Sequence, residues 1–479
     1  MLMEAFFLLM TMCVSLYYHE GDWMAFLIAA VVGLCVGSLF LFLGRKQCSD
    51  HFSRADSFMV VGLSWMVFSL IGMLPFVIYM NMDIPSALFE TMSGFTTMGA
   101  TVITDIDSMT HATRFWRALT QWMGGLGIVV FSFALIPLYE MKSSNVFSAE
   151  ATGIGLDRLR PKIGDTARRL LAIYMLLTSV CAMLYWIGPM DKYDAVCHAM
   201  ATIATGGFST HSASIGYFHS AYIEYVAAIF MIISSINFSL FYYVSIRRSH
   251  VMLRNEELHT FLWMVLFMTG IFVLLFRFET TGGTDVVVPH GIEETFRTSL
   301  FHVASISSTT GFSAATYDYV GWGAPFWMPT VCIMCIGACA GSTAGGIKVI
   351  RLLVYFKSMM GEFVRGLHPR AVTAVRISGQ VIPPERVRHI LVFLATYFGL
   401  AAIGVFTLTM MGIDVDTAIG ACFSSLSNVG PGTGACGPAD TFAQVPAAGK
   451  MLLTLFMLIG RLEIYTVLFL FIPSFWKKY

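Results

Sequence analysis

Ser308-Thr309-Thr310-Gly311-Phe312-Ser313 is the stretch from which the whole chain can be read. Three variants of it occur elsewhere: Thr96-Thr97-Met98-Gly99-Ala100-Thr101, Ala204-Thr205-Gly206-Gly207-Phe208-Ser209 and Ser427-Asn428-Val429-Gly430-Pro431-Gly432. The fourth position is Gly each time, and Gly99, Gly207, Gly311 and Gly430 lie 108, 104 and 119 residues apart. Small, hydroxyl-rich segments centred on Gly at near-constant spacing indicate four copies of one unit around one axis.

Working outward, each copy is preceded by a long apolar helix and then a shorter, half-polar segment, and is followed by a second long helix. These fall at 57–80, 84–94 and 114–141; at 168–189, 192–203 and 221–246; at 258–277, 293–307 and 325–357; and at 386–411, 414–426 and 447–472. The residue twelve places before each fixed glycine is small: Ala87, Ala195, Ser299 and Ala418. Two more apolar helices, near 4–19 and 23–43, come first, joined by His19-Glu20-Gly21-Asp22. Gly33 and Gly37 form a small-xxx-small pair suited to close helix packing. The expectation is ten spanning helices and four half-helices too short and polar to span. The parts are 1–56 (two-helix extension), 57–142, 168–256, 257–360 and 386–479 (four repeats), with cytoplasmic, irregular linkers at 143–167 and 361–385.

Composition agrees. The 479 residues are 57% hydrophobic and 12% charged, with mean hydropathy +0.73, whereas a soluble domain carries about 25% charge. The chain reads as an all-α polytopic membrane protein embedded in a lipid bilayer. Net charge is zero, so no basic surface argues for nucleic acid. The ten Cys are scattered without zinc spacing and read as small hydrophobes. Glu4 opens the first apolar run and no basic n-region precedes it, which suggests a retained helix. Of the 29 Lys and Arg, 22 fall in 44–56, 142–169, 246–256, 348–388 and the tail. All five segments lie on one face of the ten-helix arrangement. That face is therefore expected to be cytoplasmic, with both termini inside and the Gly stretches opening outward. Trp116, Trp122, Trp322, Trp327, Trp476 and Tyr479 are expected in an interfacial belt.

The chemistry of the stretches follows from depth. A half-helix ending inside the membrane points its partly negative C-terminal end there. The irregular backbone beyond it survives only in a wet cavity or buried in protein. Four such strands around an axis place carbonyls in rings, which replace the hydration shell of a monovalent cation. Gly suits the constriction because it lacks Cβ and accepts positive φ. The candidate cation ligands are Thr97, Met98, Gly99; Thr205, Gly206, Gly207; Thr309, Thr310, Gly311; and Asn428, Val429, Gly430. Hydroxyls of Thr97, Thr205, Thr309, Ser308 and Ser427 could add oxygens. No carboxylate ring marks a divalent-cation site.

The segments Ala204–His211 (ATGGFSTH), Ser308–Ser313, Asn428–Gly432 and Gly460–Glu463 (GRLE) resemble the Trk/Ktr/HKT superfamily of potassium transporters, most closely its bacterial TrkH/TrkG branch. The resemblance covers essentially the whole chain, the two extra N-terminal helices included. It implies pseudo-fourfold helix–P-loop–helix repeats around one pore, one filter Gly per repeat, and K⁺ as the transported ion. It also implies a homodimer in the bacterial inner membrane and a cytoplasmic TrkA-like regulatory ring. The nucleotide is expected on that partner, with no organic cofactor in this chain. Related sodium-conducting plant members carry Ser at the first filter position, so Gly99 points to potassium. The fourth copy departs most, at Asn428 and Pro431, and unequal copies predict looser selectivity than a symmetric channel has.

Two further features bear on control of the pore. Gly337–Gly346 interrupts the closing helix of the third repeat, since Gly costs about 1 kcal/mol relative to Ala in a helix. The family has an intramembrane gating loop at the matching stretch, so Gly341, Ser342, Thr343, Ala344, Gly345, Gly346 and the following Lys348 are gate candidates. Arg461 lies within an apolar helix, where a charge is costly and faces a cavity or partner. Under the filter it would raise the barrier to cations, and the family places a matching Arg in its pore. Glu463, two residues on, faces another side of the helix and is no obvious partner for it. Nine residues before the glycines, Glu90, His198, His302 and Ala421 are read as supports for the stretches, and Asn237 as helix-packing glue. The alternative within transport is a sodium-permeable or proton/sodium-coupled symporter. An intramembrane enzyme would need a Ser/His, paired-Asp or HExxH constellation at depth, and His19-Glu20 lacks the second His; a pure scaffold explains neither the Gly repeat nor Arg461.

Overall fold

The computed structural model describes residues 1–44, 54–140, 163–247, 249–278, 289, 291–314, 324–371 and 373–473. The basic loop 45–53, most of the linker 142–169, and Trp322, Trp476, Lys477, Lys478 and Tyr479 lie outside the described residues.

The four half-helices form where the residue pattern placed them: Ile84–Phe95, Lys192–Ile203, Ile292–Ser307 and Val415–Ser427. Three begin at an aspartate that accepts a backbone N–H: Asp83 from Ser86, Asp191 from Asp194, and Asp414 from Asp416. The third starts at Gly291 with Glu293 and Glu294 in its first turn, where carboxylates favour the helix dipole. The small residues Ala87, Ala195, Ser299 and Ala418 are all buried.

The repeats follow one another in a closed cycle. The closing helix of the first, His111–Glu140, packs on the half-helix of the second. Ala221–Ser234 packs on the third half-helix, Ala324–Cys335 on the fourth, and Ala447–Arg461 on the first. Each half-helix is also backed by the opening helix of its own repeat: Arg54–Gly72, Ile163–Ile187, Glu256–Phe278 and Pro384–Met410. This is a pseudo-fourfold arrangement of helix–half-helix–helix units, and it leaves one central axis.

The N-terminal helices Leu2–Tyr17 and Trp23–Gly44 pack on each other, and a Cβ on Gly33 would already touch that of Ala5. Their connecting loop caps the first repeat. Glu20 accepts the backbone N–H groups of His111 (2.7 Å) and Ala112 (3.0 Å), while buried Asp22 accepts from Ser15, Thr110 and Thr113.

Two closing helices, the second and the fourth, depart from the expected continuous spans, while the third is interrupted around Gly337–Gly346 as its sequence predicts. The second breaks between Ala221–Ser234 and Phe238–Ser245 with an 87° bend, and the fourth between Ala447–Arg461 and Tyr465–Phe471 with a 116° bend. In the third, a non-helical loop separates Ala324–Cys335 from Val349–Leu367. Five helices among the described residues are long and apolar enough to span, or seven when each bent pair is one span. Leu2–Tyr17 and Pro325–Cys335 are shorter apolar helices, and His111–Glu140 runs for 30 residues. The segment 361–388 is not irregular throughout: a helix continues to Leu367, and Arg376–Ile377 pairs with Gln380–Val381 across a Ser378-Gly379 turn with positive φ at both residues.

Trp116 and Trp122 do not form an interfacial belt. Both are buried, and the Trp116 indole donates to the carbonyl of Gly72 (3.1 Å). Trp327 is half-buried. The described cysteines are all free.

Candidate ion-conduction site

Each half-helix ends in the same way. Thr97, Thr205, Thr309 and Asn428 take left-handed φ of 54°, 53°, 56° and 55°. The following N–H then reaches back to close a six-residue turn: Met98 to Ser93 (2.9 Å), Gly206 to Ala201 (2.8 Å), Thr310 to Ser305 (3.0 Å) and Val429 to Ser424 (3.0 Å). Non-glycine residues avoid this conformation, and such strain clusters at functional positions. The next residue is the fixed glycine, at φ 86°, 80°, 79° and 111°.

These turns bring the four stretches together around the axis. A Cβ on Gly99 would overlap the carbonyl oxygen of Gly206, one on Gly207 that of Thr310, and one on Gly311 that of Val429. A Cβ on Gly430 would lie 2.7 Å from the carbonyl oxygen of Met98, which completes the cycle. The carbonyls of Met98, Gly206, Thr310 and Val429 therefore form a closed ring, each lodged against the glycine of a neighbouring repeat.

The hydroxyls behave less uniformly than expected. Ser308 turns back to Ser305 and Thr310, and Ser427 pairs with Tyr397 (2.6 Å), so both serve the supports rather than the ring. Thr205 bonds to the carbonyl of Ala204. The Thr309 hydroxyl accepts the N–H of Gly345 from below (2.7 Å). Thr97 Oγ1 is buried and has no protein partner among the described residues.

Behind the ring stand the polar residues placed nine positions before the glycines. Glu90 accepts from Thr101, from the N–H of Val102 (3.0 Å) and from Arg117 Nε (2.8 Å). Arg117 also donates to the carbonyl of Ser209 (3.1 Å), and its guanidinium lies 4.1 Å over the Phe208 ring. His198 uses both ring nitrogens, on the Asp194 carbonyl and the Ser209 hydroxyl, and His302 meets Thr330 (3.1 Å). Sequence reasoning missed Arg117, although the signal that singled out Arg461, a charge inside an apolar helix, applied equally.

Two residues beyond the second stretch, His211 bridges Asp107 (2.8 Å) and Asp194 (3.1 Å) and stacks on Tyr217 at 3.6 Å. Burial opposes protonation, but hydrogen bonds to Asp194 and Asp107 outweigh it and hold the imidazole pKa above its ordinary value. Burial likewise opposes ionisation of Asp107, but its bonds to His211 and Ser212 bring its pKa below the usual range.

The loop of the third repeat lies against the buried ends of the half-helices. Thr343 Oγ1 donates to the carbonyls of Ile203 (3.2 Å) and Ser234 (3.3 Å), and a Cβ on Gly345 would overlap the carbonyl of Ser427. Gly341 and Gly346 take positive φ, and Gly341 faces Asn237. Asn237 is a helix breaker as well as a packing residue: its side chain caps Ser239, and the next N–H leaves the helix to bond Gly341. Arg461 donates to the carbonyls of Thr343 (2.6 Å) and Gly124 (3.2 Å). Lys348 donates to those of Ala344 and Gly345. Three consecutive loop carbonyls are thus held by protein cations. Glu463, inside the break that follows Arg461, pairs with Arg351 (2.7 Å). Glu257, absent from the sequence reading, is buried and accepts the N–H groups of Ala340 (2.7 Å) and Ile350 (3.2 Å), tying both ends of the loop to one carboxylate.

Four re-entrant half-helices around one axis, with their ends meeting in a carbonyl ring, define a polytopic membrane protein built around a single pore. The chain belongs to the TrkH family of cation transport proteins, whose model matches residues 23–478. Membership makes it a transport protein and not an enzyme. It is 36% identical over 471 residues to the Trk system potassium uptake protein TrkH of Escherichia coli K12, covering 97% of this chain and 95% of that one. It is 34% identical to the potassium uptake protein TrkG of the same strain, covering 98% and 94%. The crystal structure of the potassium transporter TrkH from Vibrio parahaemolyticus superposes with a TM-score of 0.88 at 33% identity, over 99% of this chain and 97% of that one.

Proposed function

We propose that this chain takes up K⁺ across a bacterial cytoplasmic membrane through the ring of Met98, Gly206, Thr310 and Val429 carbonyls. The closed ring is the observation that carries the reading. Backbone oxygens around an axis substitute for the hydration shell of a monovalent cation, and no carboxylate among the described ring residues recruits a divalent one. The names of the E. coli and Vibrio relatives supply the ion. The membrane potential, worth about 2.3 kcal/mol per charge per 100 mV, is the driving force.

Gly341–Gly346 acts as the gate, with Lys348 and Arg461 as its latches. Its carbonyls are bound by ammonium and guanidinium groups and its peptide N–H reaches Thr309, which supports a closed plug directly beneath the ring. A cytoplasmic, nucleotide-binding regulatory ring on the Lys/Arg-rich face releases the loop. That partner and a homodimeric assembly rest on the family resemblance; both termini inside rests on the charge count. The parts 1–56, 57–142, 168–256, 257–360 and 386–479 serve as extension and pore repeats, with 143–167 and 361–385 as cytoplasmic linkers.

The test is cation flux into liposomes holding the purified protein, comparing K⁺, Rb⁺ and Na⁺ with and without a pH gradient, for wild type and Gly99→Ser. K⁺ and Rb⁺ flux above Na⁺ without a proton gradient, weakened by the substitution, is the expected result. Flux only under an imposed proton or sodium gradient would make the protein a coupled symporter.

A further inference from the structure

The four turns are not built alike. Six residues before the fixed glycine, Ser93, Ser305 and Ser424 each send a hydroxyl to a carbonyl just beyond the ring. Ser93 donates to Ala100 (2.6 Å), Ser305 to Phe312 (2.6 Å) and Ser424 to Gly430 (2.8 Å). The second repeat has Ala201 at this position, which has no hydroxyl to give.

A side chain from a different repeat occupies the gap. Gln121, fully buried on the closing helix of repeat one, donates from Nε2 to the carbonyl of Gly206 (2.6 Å). Its Oε1 accepts the N–H of Phe208 (3.0 Å). The two bonds straddle Gly207 and fix which end of the amide faces which group. The space is tailored to it. Where the other repeats carry Met98, Thr310 and Val429, the second has Gly206, and a Cβ there would overlap the Gln121 side chain. Ala201, Gly206 and Gln121 form one substitution set.

The bonded carbonyl is a member of the ring. A carbonyl oxygen has two lone pairs, and here one is given to an amide, leaving one for a cation. The donor also sets partial positive charge beside that oxygen and weakens the field an ion meets. A weaker field favours the larger, more easily dehydrated cation. We propose that Gln121 is a positioning residue that sets the cation preference of the ring, restraining and attenuating the carbonyl of Gly206 with a bond that the serines of the other three repeats do not give to their ring carbonyls. This rests on the reading of the ring as the cation filter.

Gln121→Met keeps the length and removes both hydrogen bonds. In liposomes it is expected to lower the K⁺:Na⁺ flux ratio about fivefold, the equivalent of one net hydrogen bond. Ala201→Ser in the same chain should not recover the ratio, because the serines at this position reach the carbonyl beyond the ring and not the ring carbonyl itself; recovery would show that Gln121 does not act through Gly206. Damage that is only structural reduces both fluxes in parallel, so an unchanged ratio overturns the proposal. Should Gln121→Met not fold, Gly206→Ala displaces the same amide with one methyl group; there too a lowered ratio supports the role and an unaltered ratio removes it. A wild-type protein with no preference between K⁺ and Na⁺ would instead fail the filter reading itself.

Discussion

Arg461 Nη1 donates to the carbonyl oxygen of Thr343 at 2.6 Å, joining the break in the last closing helix to the loop of the third repeat. The same guanidinium reaches Gly124 in the first repeat, so one side chain spans three of the four units. Arg461→Ala removes charge-assisted bonds and a positive barrier together. Basal K⁺ leak should rise about tenfold, the loss of one such bond, while K⁺:Na⁺ preference is retained. Flux assays without any regulator would show this, and unchanged leak would take Arg461 out of the barrier.

Deleting Gly341–Gly346 should leave a pore that ignores its regulatory partner. Glu257→Ala is the milder version: it frees Ala340 and Ile350 from their shared carboxylate and should raise leak without removing the loop. Regulation that survives the deletion would move the gate elsewhere.

Gly207→Ala meets both a positive φ and an occupied carbonyl position. Helix content by circular dichroism should stay near wild type, whereas K⁺ flux should fall by a factor of about ten or more, since strain of roughly 1–3 kcal/mol concentrates at the ring. Normal flux would show that the ring tolerates a side chain there.

Arg117 and Glu90 form a buried pair whose side chains are 1% and 0% exposed. Removing one partner leaves an uncompensated charge, at a cost of about 3–5 kcal/mol. Arg117→Met should therefore lower the thermal midpoint in detergent more than the Arg117→Met/Glu90→Gln double variant does. Equal losses would mean that the pair acts only through packing.

The His211 cluster carries a pH signature. Its folded pKa is raised, so the stabilisation from imidazolium is fully present below the unfolded pKa and is lost as pH climbs through the folded value. The Asp107 pKa is lowered, so its contribution is present above the unfolded value and lost as pH falls. The cluster should be most stable in mildly acidic buffer, and His211→Gln should flatten the decline in thermal midpoint as pH rises above the unfolded imidazole value of about 6.5. A parallel decline in both proteins would exclude the cluster.

The half-helices and the fixed glycines were legible because their signals are local: half-polar composition and a recurring turn sequence. The bends were not. Ser235-Ile236-Asn237 and Leu462-Glu463-Ile464 sit in runs apolar enough to continue as helix. At the first, the N–H of Phe238 is taken by Gly341, about a hundred positions along; at the second, Glu463 and Ile464 take positive φ, which their residue types do not announce. Trp116 was misplaced for the same reason: a tryptophan near a helix end is equally compatible with a lipid interface and with a buried acceptor such as Gly72. Gln121 left no signal of its own, since its partners Gly206 and Phe208 lie more than eighty positions along.

The contact between Gly430 and Met98 also has a timetable. The first and last repeats supply these two residues, so the ring stays open on one side until nearly the whole chain has been made. At about 5–20 residues per second, the first turn waits on the order of half a minute for its neighbour. Only once residue 310 has been made does the nascent protein hold three of the four carbonyls, and it then still has a lateral gap. A ribosome that stalls before residue 430 thus leaves an unfinished aperture, and the cell gains its pore only from the completed polypeptide.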